Sequence, residues 1–177
     1  AKYTFLVAGV WSSKLLKPLE LKIPLRPARS HVIQLSSTRK MPKPMVARRF
    51  ASGDIVIKYQ PRTGNILAAY SGAFDQDQAT WSNQVDPQAI AWLHKESMHI
   101  LPCLQGANVK SMHTTSLAMT PDNHAVFGLV PQLEGLAIAV GFAGRSYAFA
   151  PGVAKIMAGQ FSGLKNTIDT SIFSPER

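Results

Sequence analysis

LAIAVGFAGRSYAFAPGV, residues 136–153 of this 177-residue chain, joins an apolar run to a glycine-containing turn and a proline. The continuous apolar run Leu136–Val140 predicts a buried strand. Glycines at 141 and 144 permit a tight bend and let a ligand approach the backbone closely. Pro151 is suited to the first position of a helix, so we predict a helix over 151–161.

The start of that helix would suit negative charge. Its unpaired first-turn N–H groups and its positive dipole end would face the glycine bend. Negative charge grows around N1 and the C2 carbonyl of a flavin as the ring is reduced, so donors placed there would stabilise the reduced cofactor. Taken alone, however, such a stretch more often marks a plain strand-to-helix connection.

Another apolar run lies at the other end of the sequence. Residues 3–8 predict a strand that is buried on both faces of a parallel sheet, and Gly9 begins the turn that follows it. Such a strand needs neighbours, and no βαβ unit precedes it here. We therefore expect the chain to be incomplete, with the missing sheet neighbours in another segment or subunit.

The pattern between these two runs is mainly that of antiparallel strands. Residues 31–35 alternate in polarity, and residues 55–59 and 66–70 flank a turn as in a hairpin. Residues 109–118 are also expected to be extended.

A helix is predicted over 86–101, with Asp86 at its N-cap and Pro87 at its first position. Together these elements predict an α+β (mixed α/β) fold. We expect an antiparallel sheet with a helix in the middle of the chain. The strands and the helix that flank this part are expected to belong to a different domain.

Composition limits the function classes. Hydrophobic residues make up 46% and charged residues 16%, which is typical of a globular protein, and no apolar run is long enough for a transmembrane segment. The net charge is +9. The basic residues are scattered, apart from a cluster at Lys40, Lys43, Arg48 and Arg49, and lack interleaved aromatic residues, so we predict no nucleic-acid binding.

Cysteine and histidine usage gives two weaker indications. The single cysteine, Cys103, is consistent with a cytoplasmic protein and excludes an internal disulfide. His94 and His99 are five residues apart on the predicted helix and do not share a face well, so no metal site is predicted.

Several ordered segments resemble the superfamily of D-amino-acid oxidase and glycine/sarcosine oxidase. Residues 8–12, AGVWS, are similar to its Ala-Gly-Ala-Trp-Ser segment. Residues 119–131, MTPDNHAVFGLVP, resemble its Met-Thr-Pro-Asp segment with the following Gly-Pro-Val-Pro. The series EGL (134–136), GFAG (141–144) and AP (150–151) then follows in the family's order, and the hairpin turn and residues 173–177 have counterparts too.

The resemblance implies the C-terminal part of an FAD-dependent oxidoreductase. Hydride would pass from the carbon next to nitrogen, in an amino acid or secondary amine, to the flavin. Residues 1–15 would be the last strand of the FAD-binding domain, which is of the Rossmann type, 16–118 the substrate-binding domain, and 119–177 the return to the FAD-binding domain. The dinucleotide fingerprint is absent. The resemblance therefore implies an FAD-binding N-terminal half or separate subunit as a partner, and leaves an oligomer open.

Candidate site residues follow from the resemblance. For the substrate and catalysis we single out Arg145, Tyr59 and His113. The candidates for cofactor binding are Gly9, Trp11, Gly141, Gly144, Arg145, Ser146, Tyr147 and Ala148.

One departure from the family bears on activity. Leu117 stands where many members have an arginine for the substrate carboxylate, and bidentate arginine contacts are hard to replace. Either another residue makes this contact, with Arg145 as one substitute and Arg49 as a weaker one, or the substrate differs. A non-catalytic relic or assembly module of the same fold is the alternative prediction.

Overall fold

A computed structural model describes residues 2–36, 46–50, 53–71, 84–164 and 168–176. Lys40 and Lys43 of the basic cluster lie outside these ranges. The chain divides into two compact units, which are residues 1–27 with 117–177 (unit 1) and residues 28–116 (unit 2). Each unit combines a sheet with at least one α-helix, which confirms the α+β fold class. The assignment of 1–15, 16–118 and 119–177 to FAD-binding and substrate-binding domains stays a prediction.

Strands and helices are numbered in chain order. The strands are β1 (Thr4–Leu6), β2 (Arg26–Ser36), β3 (Val46–Phe50), β4 (Gly53–Gln60), β5 (Asn65–Tyr70), β6 (Asn108–Met119), β7 (Val126–Leu129) and β8 (Leu136–Val140). The α-helices are α1 (Ser12–Leu16), α2 (Pro87–Ile100) and α3 (Ser146–Phe161). Short 3-10 helices cover Gly9–Trp11, Lys17–Leu19, Pro102–Leu104 and Ser171–Phe173.

Unit 1 contains a sheet whose described strands have the order β1-β8-β7. β1 and β8 are parallel, whereas β7 and β8 are antiparallel. Ile138 in the central strand β8 is fully buried and packs with Leu16 and Val126. The observed bounds of β8 are those that the sequence predicts.

β1 differs from its prediction in burial. It is parallel to β8, but Phe5 is 52% exposed, and Tyr3 and Val7, which flank the strand, are 47% and 66% exposed. The expected burial on both faces was therefore wrong for the described chain. The reason is that β1 lies at the edge of its sheet among the described strands, with β8 as its neighbour on one side.

Helix α3 begins five residues before its predicted start. It runs from Ser146, and Pro151 lies inside it rather than at its first position. A proline there removes one backbone donor. The first two turns are exposed, so the carbonyl left without that donor remains open to water. The corrected start places the unpaired first-turn amides directly after the Gly144 bend.

The sheet of unit 2 has the order β3-β4-β5-β2-β6. The hairpin β4–β5 is antiparallel with Ile57 opposite Ala68, as predicted from its turn residues. β2 pairs antiparallel with β5 through Ile33 and Ala68. The predicted strand 109–118 is confirmed as β6.

Helix α2 covers one face of this sheet. The Asp86 carboxylate accepts a hydrogen bond from the Gln88 N–H at 2.8 Å, and Pro87 occupies the first turn, as predicted. Its buried residues Ile90 and Leu93 pack in one core with Ile57 of the sheet. Within the described ranges, no helix is long and apolar enough to span a bilayer.

Candidate functional site

The candidate site lies where the two parallel strands of unit 1 end. Thr4 pairs with Leu136 and Leu6 with Ile138, so β1 and β8 have their carboxyl ends at the same edge of the sheet. Ligands of open α/β sheets bind outside such carboxyl ends. The 3-10 helix Gly9–Trp11 follows β1, and the bend 141–144 follows β8. The fold thus brings to one edge the predicted cofactor-binding residues Gly9, Trp11, Gly141 and Gly144.

Positive φ angles shape the bend after β8. The φ angle is +75° at Gly141, +50° at Ala143 and +82° at Gly144. A Cβ atom at Gly141 would lie 2.7 Å from Cγ2 of Thr120, so only glycine fits there. The N–H of Ala143 donates to the carbonyl of Ala118 at 3.3 Å, which holds the bend against the end of β6.

Two amides at the start of α3 are available to a ligand. In the part of the chain that the structure describes, no acceptor pairs with the N–H of Ser146 or Tyr147, and the first turn carries no acidic residue. Tyr147 is 97% exposed. The amide of Ala148 is different, because it donates to the carbonyl of Arg145 at 3.0 Å. Of the predicted backbone donors, Ser146 and Tyr147 therefore have amides free for a ligand.

Two serine side chains follow the Gly9–Trp11 turn, and their hydroxyls need hydrogen-bond partners. Ser12 is fully buried at the start of α1, directly after the Gly9–Trp11 turn. Within the described residues, neither Ser12 Oγ nor Ser13 Oγ has a hydrogen-bond partner. Burying an unpaired hydroxyl costs about 1–3 kcal/mol. Unpaired hydroxyl donors beside a glycine turn fit a polar ligand such as a dinucleotide. The sequence analysis did not predict Ser12 and Ser13 as site residues, although Ser12 lies in the AGVWS segment.

The other catalytic candidates lie in unit 2. Tyr59, in β4, is half-buried and packs against the hydrophobic core on the side of α2. His113 is exposed on β6. Strands β5 and β2 separate β4 from β6, so the sheet does not bring these two residues together. The packing of Tyr59 favours a structural role, and its catalytic role stays a prediction, as does that of His113.

Leu117 lies beside the glycine bend. Its Cδ1 and Cδ2 atoms are 3.7 and 3.8 Å from the position that a Cβ atom on Gly144 would take. The position where the family often has arginine is therefore part of the candidate site, and here it is apolar. Arg145 follows the bend as the N-cap of α3, with its side chain exposed.

Comparison with known proteins places this geometry in a family. Residues 1–160 match the family described as FAD dependent oxidoreductase, DAO. The monomeric sarcosine oxidase of a Bacillus species is 29% identical over 180 residues, covering 96% of this chain and 46% of that protein. Glycine oxidase of Pseudomonas putida is 26% identical over 171 residues, covering 97% of this chain and 44% of that protein. The chain thus spans about half the length of these relatives.

Solved structures share the fold. The chain resembles L-proline dehydrogenase from P. horikoshii with a TM-score of 0.85 and 20% identity, covering 99% of this chain and 46% of that one. Glycine oxidase from Geobacillus kaustophilus gives a TM-score of 0.84 at 17% identity, covering 100% and 46%. With a family match across 160 of its 177 residues, this chain belongs to the DAO family of FAD-dependent oxidoreductases.

Proposed function

We propose that this chain is the C-terminal, flavin-contacting portion of an FAD-dependent enzyme that oxidises a C–N bond in an amino acid or secondary amine. The observation that carries the proposal is the common edge of β1 and β8. There, the glycine bend and the unpaired amides of Ser146 and Tyr147 lie at the carboxyl end of a parallel strand pair. The relatives named sarcosine oxidase and glycine oxidase support the substrate class.

The residues of this edge suit a flavin in two ways. The amides of Ser146 and Tyr147, at the positive end of α3, would hold the electron-rich pyrimidine edge of the ring. The hydroxyls of Ser12 and Ser13 would find acceptors on the bound cofactor. A bound flavin would supply the two-electron acceptor for the carbon next to nitrogen.

Substrate binding is assigned to Arg145. Its exposed guanidinium follows the bend directly and has no ion pair among the described residues. A guanidinium binds carboxylate in two-point fashion, which the apolar Leu117 cannot do. We therefore infer that Arg145 anchors the substrate carboxylate if the substrate is an amino acid.

The FAD-binding half is proposed to pair with β1. This strand has a free edge within the described chain, and the apolar side chains of Phe5 and of the flanking Tyr3 and Val7 are exposed. A parallel strand of a nucleotide-binding layer would both continue the hydrogen-bond ladder and cover these side chains. Because the chain has a single cysteine, we propose that the assembled enzyme is cytoplasmic.

A non-catalytic relic or assembly module is the second candidate. The observation that favours it is Leu117 beside Gly144, because an apolar side chain stands at the position of the family's usual carboxylate anchor. Such a protein would keep the fold without turnover.

Co-expression with an FAD-binding half separates the two candidates. If the chain is part of an enzyme, we expect a yellow complex whose flavin is bleached by an amino acid or a secondary amine. A yellow complex that no amine reduces supports the relic. A colourless complex contradicts the proposed flavin site itself.

A further inference from the structure

A groove in unit 2 is lined by residues that the proposed flavin site does not include. It has a volume of about 500 Å³, which is within the range of small-molecule sites. Its lining residues are Arg48, Lys95, Glu96, Met98, His99 and Gln105. Lys95, Met98 and His99 are spaced i, i+3 and i+4, so one face of α2 forms a wall. Arg48 of β3 and Gln105, which follows the 3-10 helix at 102–104, complete the lining.

The charges of this groove are not compensated within the protein. Two permanent cations, Arg48 and Lys95, face one carboxylate, Glu96, and within the described residues none of the three forms an ion pair. The next residue on β3 behaves differently, because Nε of Arg49 lies 3.3 Å from Oδ1 of Asp54. Arg49 of β3 is thus paired with a carboxylate, whereas the neighbouring Arg48 is available to bind a ligand.

Arg48 is also positioned for a ligand. Its guanidinium carbon lies 5.0 Å from the centroid of the Phe50 ring, a cation–π contact that restricts the side chain. A restricted guanidinium loses less entropy when it forms a two-point contact with a carboxylate or phosphate. The Gln105 amide and the His99 imidazole can add hydrogen bonds.

We propose that this groove binds a small, multiply charged anion bearing carboxylate or phosphate groups, through residues that the proposed flavin site does not use. The size of the groove favours a small molecule over a protein partner. Six of the described residues line it, whereas a stable protein interface takes about 20–30 residues a side. Arg48 and Lys95 would supply the charge, and Met98 would contact the ligand's carbon skeleton.

Calorimetric titration of the full chain tests the proposal, with citrate and pyrophosphate as probes at constant ionic strength. Saturable binding of either probe is expected, and the tighter one identifies carboxylate or phosphate as the preferred group. Arg48→Gln and Lys95→Gln should each weaken this binding about tenfold, as expected for a lost charge-assisted hydrogen bond. Arg49→Gln, which removes the same charge from the adjacent position, should change the affinity less than about twofold.

Two results would overturn the inference. One is an equal loss of affinity in Arg49→Gln, which would show general attraction of anions to a chain of net charge +9. The other is an absence of saturable binding to both probes. If an acidic polypeptide binds instead, the groove belongs to a protein partner.

Discussion

Single residues determine the backbone path at the bend after β8. Gly141 combines a φ of +75° with contact to Thr120, and Gly144 has a φ of +82° with only van der Waals neighbours. Ala143 also adopts a positive φ, although it is not glycine, and its amide is bonded to Ala118. The sequence predicts a bend from its two glycines. It does not predict the Thr120 contact, which arises only when the end of β6 and the end of β8 come together.

Gly141→Ala tests this path. We expect the free energy of unfolding to fall by at least about 2 kcal/mol, because the new Cβ atom meets Thr120 and the residue is held at positive φ. Gly152→Ala is the matched control. It lies exposed in α3 with open space around it, and should stabilise by about 0.5–1 kcal/mol. Urea unfolding that shows similar effects for both variants would contradict the geometry of the bend.

The role of Arg145 can be tested in an FAD-loaded complex with an FAD-binding half. For Arg145→Gln we expect KM for an amino acid to rise about tenfold or more, since a charge-assisted two-point contact is lost. KM for an amine without a carboxylate should stay unchanged. If steady-state kinetics show that KM rises equally for both substrates, Arg145 is not the carboxylate anchor.

At the scale of elements, local signals and long-range contacts contribute differently. The hairpin β4–β5 and helix α2 are predicted because turn and cap residues specify them locally. β7 is missed, since Gly128 interrupts its pattern, and its strand is defined by pairing with β8. α3 is predicted too late because Pro151 is an interior residue of an exposed helical turn.

The N-cap of α2 gives a prediction for this element. Asp86→Ala should lower the free energy of unfolding by about 1 kcal/mol, because the Gln88 N–H loses its acceptor. Asp86→Asn keeps a side-chain acceptor and should cost only a few tenths of that amount. If chemical denaturation shows the asparagine variant to be as unstable as the alanine variant, the carboxylate charge matters rather than the cap.

Strand β2 carries a buried titratable group. Burial lowers the pKa of His31; Asp86 opposes this shift, and Arg29 adds to it. The unfolded chain therefore binds more protons than the folded chain below about pH 6.5. We expect the free energy of unfolding to fall as the pH is lowered through this region.

The replacement His31→Gln isolates this contribution. The variant should show a smaller loss of stability between about pH 7 and pH 5 than the unchanged chain. Measurements at about pH 8, where the imidazole is neutral in both states, provide the reference for the cost of the substitution itself. An identical pH dependence in thermal unfolding experiments would show that His31 does not cause it.

At the scale of the whole molecule, ordered motifs predict more than periodicity does. The segments at 8–12, 119–131 and 141–144 indicate the family, and the family match over 1–160 confirms it. Periodicity alone gives strands and helices without their pairing. Neither the parallel pairing of β1 with β8 nor the register of this pair could be predicted from the sequence of one strand alone.

The pairing of β1 with β8 joins two distant parts of the sequence. Thr4 lies opposite Leu136 and Phe5 opposite Ala137, although each pair is separated by most of the chain. Contacts between positions so far apart depend on the whole fold, so the common edge that forms the candidate site is visible only in the structure. The family resemblance predicts which residues belong to the site, and the strand pairing explains why Gly9, Trp11, Gly141 and Gly144 lie at one edge of the sheet.

Amide hydrogen exchange in the complex with an FAD-binding half tests the flavin site most directly, by comparing the FAD-free and FAD-loaded forms. The amides of Ser146 and Tyr147 have no acceptor among the described residues, so they should exchange rapidly without FAD and become protected when it binds. The exposed hairpin turn at 61–64 serves as the internal reference and should not change. Unchanged exchange at Ser146 and Tyr147 in a complex that has bound FAD would contradict the proposed cradle.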